Sequence, residues 1–208
     1  MSIPHAVIIA GGQGDRLGGV RKAELRLGGQ RLIDRVSTAL GPVVSPLLVA
    51  SGPGHRVPQG DYPGVPDLSA TPSGPLAGLA AAVDWLAENG ATDGLLVSVA
   101  VDTPFLPPDF VAVMIAALGS NAAVYASWGN DFYPPNALWR LECIAALPER
   151  IRAGTAPKSL RASLVELGAN PHDWQAQSPL NPFDNLNTLG DLIRLGRRAA
   201  QLASDSAQ

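Results

Sequence analysis

The feature that most constrains the fold is a series of short apolar runs separated by segments with helical periodicity. The runs at residues 6–10, 47–50 and 95–99 are nearly continuous, as is typical of strands buried on both faces of a parallel sheet. Between them, residues 32–40 and 76–86 repeat apolar side chains at helical spacing. Strands that alternate with helices indicate βαβ units with right-handed crossovers. The sequence therefore predicts an α/β fold, a three-layer sandwich with a mostly parallel, Rossmann-like sheet.

The second half of the chain has a looser pattern. We expect a helix over residues 111–118, strands over 122–127 and 134–139, and a last helix that begins after the capping-box pair Thr188 and Asp191. The 208 residues suffice for one domain with a sizeable core, and no segment has the composition of an interdomain linker. We therefore predict a single domain that spans residues 1–208.

Composition argues against several classes of protein. The formal net charge of -3 offers no general basic field for nucleic acid or an anionic membrane. The single cysteine, Cys143, excludes an internal disulfide and is interpreted as a small core residue. No apolar run approaches the ~20 residues of a membrane span, and the N-terminus lacks a signal-peptide pattern. We expect a cytoplasmic protein that binds neither nucleic acid nor a membrane.

A glycine-rich loop follows the first predicted strand. Five glycines occupy nine positions from Gly11 to Gly19, among them Gly12 and Gly14. Backbone amides free of side chains can converge on phosphate oxygens, and Arg16 adds positive charge. The spacing fits neither a Walker loop nor the dinucleotide-binding fingerprint. The loop favours a phosphate site of another kind, and an ordinary glycine-rich turn remains the alternative.

Two charged residues stand out near the predicted strand ends. Lys22 is one of only two lysines beside thirteen arginines, which hints at a need for a compact point charge. Asp102 follows the third apolar run, where an unpaired carboxylate costs several kcal/mol and therefore tends to meet a cation or water. Nucleotide-bound Mg²⁺ takes one or two protein carboxylates and fits this position. Capping of a helix that begins near Pro107 is the alternative interpretation of Asp102.

A third candidate segment precedes the helix at residues 76–86. Small residues such as Gly74 and Gly78 allow close approach to a helix N-terminus, where the dipole favours anions. Packing alone is the alternative for Gly78. Asp67 lies in a loop rich in proline and glycine, where it is either a solvated turn residue or a contact for a base or ribose.

Four motifs together resemble the molybdenum cofactor guanylyltransferase family. They are the glycine-rich segment from Ile9 to Lys22, Gly-Pro-Leu-Ala-Gly at 74–78, Asp-Thr-Pro-Phe-Leu-Pro at 102–107 and Asn-Leu-Asn-Thr at 185–188. They occur in the order of the family and span residues 9–188. The Ala-Gly-Gly that ends the first strand is similar to guanylyl enzymes, whereas cytidylyl relatives usually have Ala-Ala-Gly.

The resemblance implies a fold of the nucleotide-diphospho-sugar transferase type and Mg²⁺-dependent transfer of GMP from GTP to molybdopterin. It implies a nucleotide-binding half at residues 1–105 and an acceptor-binding half at 106–203. Lys22, Arg16 and Asp102 would carry catalysis, and Asp102 would bind the metal. The binding residues would be Ile9, Ala10, Gly11, Gly12, Gly14, Lys22, Asp67, Gly74, Gly78, Asp102, Asn185 and Asn187, the last two near the pterin.

The chain departs from the family pattern at three places. Arg21 stands where an aspartate is common, residues 100–101 are Ala-Val instead of Pro-Cys, and residues 51–55 lack a common asparagine. Two other functions therefore stay open: a cytidylyltransferase or guanylyltransferase acting on another phosphorylated metabolite, and a non-catalytic nucleotide- or cofactor-binding accessory protein. For an enzyme that acts on molybdopterin, transient contact with cofactor-biosynthesis proteins and molybdoenzymes is expected beside catalysis.

Overall fold

The computed structural model describes residues 3–11, 21–52, 62–66, 68 and 74–205. Nine strands are present in these segments: β1 (His5–Ile9), β2 (Arg26–Leu27), β3 (Gln30–Arg31), β4 (Leu48–Ala50), β5 (Gly64–Val65), β6 (Leu95–Ala100), β7 (Ala123–Trp128), β8 (Asp131–Arg140) and β9 (Asn170–Asp173). Seven of them form one sheet in the order β5–β4–β1–β6–β8–β7–β9, and β2 pairs with β3 separately. The three buried runs of the sequence thus lie at the centre of the sheet.

The strand directions confirm a mostly parallel sheet. β1 pairs in parallel with β4 and β6, and β4 pairs in parallel with β5. β8 is the exception, since it runs antiparallel to both of its neighbours, β6 and β7. β9 completes the sheet in parallel with β7. Parallel strands need crossovers, which explains why helices separate β1, β4 and β6 along the chain.

Helices cover both faces of the sheet, as the three-layer prediction requires. They are α1 (Leu32–Leu40), α2 (Pro75–Glu88), α3 (Phe110–Leu118), α4 (Leu141–Ile144), α5 (Leu147–Arg152), α6 (Leu160–Glu166) and α7 (Leu189–Asp205). Buried side chains of α1, α3 and α7 form one core cluster with one face of the sheet. Those of α2, α4, α5 and α6 form a second cluster with the opposite face. None of the helices in the described segments is long and apolar enough to cross a membrane.

The antiparallel strand β8 is longer than expected and contains a bulge. The sequence predicted a strand at 134–139, whereas β8 extends from Asp131 to Arg140. Tyr125 of β7 pairs with Ala137, but the next residue, Ala126, pairs with Tyr133. Residues 134–136 therefore have no partner on β7. Two of these three residues are prolines, which cannot donate to a ladder and are confined to sheet edges and bulges.

Two local predictions had opposite outcomes. The capping box is confirmed: Thr188 Oγ1 accepts from Asp191 N at 3.1 Å, and Asp191 Oδ2 accepts from Thr188 N at 2.9 Å. The placement of Cys143 in the core was wrong, because its side chain is exposed. On the short helix α4 the buried positions are Leu141 and Ile144, three residues apart, so Cys143 falls on the outer side.

Candidate active site

A cleft of about 280 Å³ lies at the carboxyl ends of β1 and β6. Open α/β sheets bind ligands at such strand ends. One side of the cleft comes from β1, the start of α2 and the turn after β6, and the other from the bulged part of β8. The lining residues are Ile9, Gly11, Lys22, Pro75, Ala100, Val101, Asp102, Phe132, Tyr133, Pro134, Pro135, Asn136 and Asn185.

Backbone hydrogen bonds beyond the strand ends bring the two predicted loops together. Ala10 N donates to Ala50 O at 2.7 Å, and Val101 N donates to Ile9 O at 3.1 Å. The first bond ties the chain leaving β1 to the end of β4, and the second holds it beside the chain leaving β6. As a result, Gly11 and Asp102 line the same cleft, although they are far apart in sequence.

A lysine, an aspartate and an asparagine from three distant segments meet in this cleft. Lys22 begins a 3₁₀ turn, Lys22–Glu24, and its Nζ donates to Asp102 Oδ2 at 2.7 Å and to Asn187 Oδ1 at 2.5 Å. The side chains of Lys22 and Asp102 are each 18% exposed. Such partial burial reduces solvent screening, so the charges act strongly on each other and on any ligand that enters. The three residues form a preassembled polar cluster.

Hydrogen bonds to two different elements, the turn after β6 and the first turn of α7, hold the Asn-Leu-Asn-Thr segment at the cleft. Leu186 N donates to Asp102 O at 2.9 Å. Asp191, on the first turn of α7, accepts from Asn187 N at 3.1 Å in addition to its capping bond with Thr188. Burial raises the pKa of Asp191, but hydrogen bonds from Thr188, Asn187 and Arg194 outweigh burial and leave that pKa below its ordinary value. The ionised carboxylate therefore holds Asn187 beside Lys22.

Two glycines lie at the start of α2 beside the cleft, one constrained by its backbone conformation and the other by close packing. Gly74 precedes the helix at φ +104°, a conformation that L side chains rarely adopt, and Pro75 follows as its first residue. A Cβ on Gly78 would lie 2.9 Å from the Cβ of Ala50, so any larger residue would push α2 off the sheet. The structure thus supports the packing interpretation of Gly78, and a nucleotide contact there stays a prediction.

The structure brings most of the predicted site residues together. Ile9, Gly11, Lys22, Asp102 and Asn185 line the cleft, with Ala10 and Asn187 attached as described above. The predicted residues Gly12, Gly14, Arg16 and Asp67 lie outside the described residues. The capping alternative for Asp102 was wrong, because α3 begins at Phe110 and is preceded by Asp109.

Sequence reasoning missed the wall that β8 contributes. Phe132 is 45% exposed, an unusual state for an aromatic side chain beside a cleft. Tyr133 accepts a hydrogen bond from Asn181 Nδ2 at 2.5 Å, and burial raises the pKa of its hydroxyl. Asn136 is only 1% exposed, and its Oδ1 accepts from Ala100 N at 2.8 Å. The two prolines inside a strand-like pattern were the signal that a bulge interrupts the ladder here.

Comparison with known proteins places this cleft in a family. The sequence matches the MobA-like NTP transferase domain over residues 6–168. The chain belongs to this family. The match confirms the predicted resemblance and the enzyme class, a nucleotidyltransferase. It covers β1, Lys22, α2 and Asp102, which are the elements that build most of the cleft.

Individual members of the MobA-like family match nearly the whole chain. A molybdenum cofactor guanylyltransferase from Rhodobacter capsulatus is 41% identical over 199 residues, which is 95% of this chain and 97% of the relative. One from Acidiphilium cryptum is 38% identical over 189 residues, 90% of this chain and 91% of the relative.

Solved structures support the fold. Molybdopterin-guanine dinucleotide biosynthesis protein A from Archaeoglobus fulgidus superposes with a TM-score of 0.72 at 21% identity, covering 95% of this chain and 99% of that protein. The 2-C-methyl-D-erythritol 4-phosphate cytidylyltransferase from Thermus thermophilus gives a TM-score of 0.66 at 16% identity, covering 95% and 100%. The predicted nucleotidyltransferase fold is therefore confirmed, and the same fold occurs in a cytidylyl enzyme.

Proposed function

We propose that this protein transfers GMP from GTP to molybdopterin, releasing pyrophosphate and forming the molybdopterin guanine dinucleotide cofactor. The observation that carries the proposal is the contact of Lys22 with both Asp102 and Asn187. This contact joins the strand ends of a nucleotide-binding half, residues 1–105, to the Asn-Leu-Asn-Thr motif of an acceptor-binding half, residues 106–203. The names of the relatives at 38% and 41% identity support the choice of substrates.

GTP would occupy the side of the cleft formed by β1 and α2. Ile9, Ala10 and Gly11 present backbone at the strand end, and Gly74 opens the N-terminus of α2, where the helix dipole favours phosphate. Four predicted contacts complete this set: Gly12, Gly14, Asp67 and Gly78. The acceptor would lie against β8, with Asn185 and Asn187 near the pterin.

Mg²⁺ fits the residues that the structure brings together. Asp102 offers a carboxylate at the cleft, and the described part of the chain contains no group of three or more acidic, histidine or cysteine side chains that could hold a metal ion by themselves. Mg²⁺ in phosphate-transfer sites usually takes one or two carboxylates and completes its shell with substrate oxygens and water. Asp102 would hold the ion, which supplies charge neutralisation at the phosphates when bound.

The chemistry would be an in-line displacement without a protein nucleophile. A terminal phosphate oxygen of molybdopterin attacks the α-phosphorus of GTP, and the bond to the departing pyrophosphate breaks. Lys22 lies between the two halves, so its ammonium group can pair with phosphate oxygens of either substrate. Together with Arg16 it would offset the repulsion between two polyanions and hold them in line.

The proposal extends to the setting of the enzyme. Because molybdopterin is labile, we infer transient contact with the proteins that supply the cofactor precursor and with the molybdoenzymes that receive the product, in the cytoplasm. A purely accessory, non-catalytic function would not explain why a half-buried lysine and aspartate are paired at the cleft.

Pyrophosphate release tests the proposal directly. Purified protein is incubated with Mg²⁺, molybdopterin and each of GTP, CTP, ATP or UTP, with molybdopterin or Mg²⁺ omitted as controls. We expect release with GTP alone and only in the complete mixture. Release with CTP would overturn the guanine assignment and keep the enzyme class. Tight GTP binding without release in any mixture would favour the accessory function instead.

A further inference from the structure

The bulge in β8 removes a backbone partner from β6 next to Asp102. The antiparallel ladder between β6 and β8 runs from Leu95 opposite Arg140 to Ser98 opposite Ala137, and stops there. Ala100, the last residue of β6, lies beyond that point, beside the unpaired residues 134–136. Its amide therefore needs an acceptor that the backbone of β8 no longer provides.

The side chain of Asn136 supplies that acceptor. Asn136 Oδ1 accepts from Ala100 N at 2.8 Å, and the residue is 1% exposed. The orientation of the amide is fixed, because a flipped side chain would place its NH₂ group against the N–H of Ala100. A hydrogen bond from Ala100 N to the side chain of Asn136 thus takes the place of one backbone hydrogen bond between β6 and β8.

Neighbouring buried polar groups hold the same region in place. Ser98 Oγ donates to Pro135 O at 2.8 Å and accepts from Trp139 Nε1 at 2.9 Å, which fixes the bulge against β6. Thr103, fully buried, donates from Oγ1 to Ala100 O at 2.8 Å and closes the turn that contains Asp102. Side chains therefore bind both backbone groups of Ala100: Asn136 accepts from its N–H, and Thr103 donates to its carbonyl oxygen.

We propose that Asn136 is a positioning residue for Asp102. It fixes the amide of Ala100, two residues before Asp102, and so sets where the carboxylate meets Lys22 and a metal-bound nucleotide. This inference rests on the proposed assignment of Asp102 as the metal ligand. A neutral amide suits the task, because a carboxylate at the same place would add a second negative charge close to Asp102.

An unusual feature of Asn136 supports a function beyond packing. Its Nδ2 is buried and has no hydrogen-bond partner among the residues that the structure describes. Buried donors without partners are costly, and an apolar side chain of the same size would avoid that cost. The hydrogen bond that Oδ1 accepts from Ala100 N, next to the turn of Asp102, explains why an asparagine occupies this position.

Metal binding in the presence of nucleotide tests this inference without relying on turnover. Mn²⁺ is titrated into the protein with a non-hydrolysable GTP analogue and followed by electron paramagnetic resonance. Asn136→Leu, nearly isosteric, should weaken Mn²⁺ binding about 10-fold, the lower range for loss of a group that orients a metal ligand. In the transfer assay the same variant should need more Mg²⁺ and show a lower kcat at an unchanged KM for molybdopterin.

Two further variants make the result interpretable. Asn136→Asp keeps an acceptor oxygen for Ala100 N but adds a buried negative charge close to Asp102, so its Mn²⁺ binding should fall less than that of Asn136→Leu. Asn121→Leu is the control, since its Nδ2 donates to Leu118 O at 3.0 Å in the turn after α3, away from the cleft. If Asn136→Leu does not fold, Asn136→Ala takes its place.

The outcomes separate this inference from the proposed function. Wild-type Mn²⁺ binding by Asn136→Leu, or an equal loss in Asn121→Leu, would overturn the positioning function. If wild-type protein transfers no GMP while Mn²⁺ binding still depends on Asn136, the choice of substrates is wrong and the positioning function stands.

Discussion

The two sides of the cleft are built by different means. On the nucleotide side, backbone bonds between the parallel strands β1 and β6, such as Val101 N to Ile9 O, bring Gly11 and Asp102 to the same edge of the sheet. On the acceptor side, the antiparallel strand β8 leaves its ladder, and side chains take over the missing contacts, as Asn136 does for Ala100 N. The geometry of the nucleotide side follows largely from strand pairing in the sheet, whereas the geometry of the acceptor side depends on individual buried polar residues.

This difference predicts how substitutions should behave. Changes to charged groups at the parallel strand ends should remove activity and leave the fold intact, because the backbone holds the site. Changes to residues that hold helices or the acceptor segment in place should lower stability first. The four substitutions below test that division, beginning with the largest expected effect.

Asp102→Ala should abolish Mg²⁺-dependent transfer, with kcat reduced by about 10³-fold or more, on the upper scale for loss of one transition-state interaction. Its backbone stays held by Leu186 N, so the variant should remain folded, with a melting temperature lowered by the loss of the ion pair with Lys22. Pyrophosphate release and thermal unfolding measure both quantities. Asp93→Ala, at the opposite end of β6, is the control. Activity that survives in Asp102→Ala would remove this residue from the metal site.

Lys22→Ala should lower kcat/KM by about 10²-fold, because one cation between two polyanionic substrates is lost. Lys22→Arg should recover only part of the rate, since a planar guanidinium does not replace a compact ammonium group that contacts Asp102 and Asn187. Steady-state kinetics with GTP and molybdopterin provide the measurement. Arg197→Ala, which removes an exposed cation of α7, should behave as the wild type. Wild-type kinetics in Lys22→Ala would exclude it from the transfer step.

The nucleotide side was predictable from the sequence because its signals are local. Continuous apolar runs predicted the buried strands, and the residue after each run therefore had to lie at the ligand-binding edge. Asp102 followed from that rule, and Lys22 from its rarity and its place in the glycine-rich loop; both line the cleft. The resemblance in motif order also predicted that Asn187 lies near the pterin side of the site, and its side chain contacts Lys22.

The acceptor side could not be predicted in the same way. Whether Asn136 is buried depends on a register shift between β7 and β8, and a one-residue change in register moves every side chain to the other face. The exposure of Cys143 likewise depends on which side of a four-residue helix packs on the sheet. Such facts arise from pairing between distant segments, and a single sequence carries no direct record of that pairing.

Gly78→Ala tests whether this glycine of the nucleotide side acts through packing. Its Cβ would lie 2.9 Å from the Cβ of Ala50, so the substitution should destabilise the fold by about 1–3 kcal/mol, as overpacking does. Urea unfolding measures the loss. Gly196→Ala on α7 is the matched control, because its Cβ would meet nothing closer than Leu27 Cδ1 at 4.0 Å; it should stabilise by about 0.5–1 kcal/mol. A raised KM for GTP in folded Gly78→Ala would instead indicate a nucleotide contact.

Asp191→Asn should have the smallest effect and a distinct pH dependence. The amide accepts less strongly from Thr188 N and Asn187 N, which should cost about 1 kcal/mol of stability at neutral pH. Because the folded pKa of Asp191 lies below its ordinary value of 3.8, the wild-type advantage is fully present above that value and disappears as pH falls through the folded pKa. Urea unfolding at pH 7, 5 and 3 should therefore show a constant difference at the first two pH values and a smaller one at the third. A difference that stays constant down to pH 3 would mean that the charge of Asp191 does not hold the acceptor segment, and that the hydrogen-bond geometry alone does.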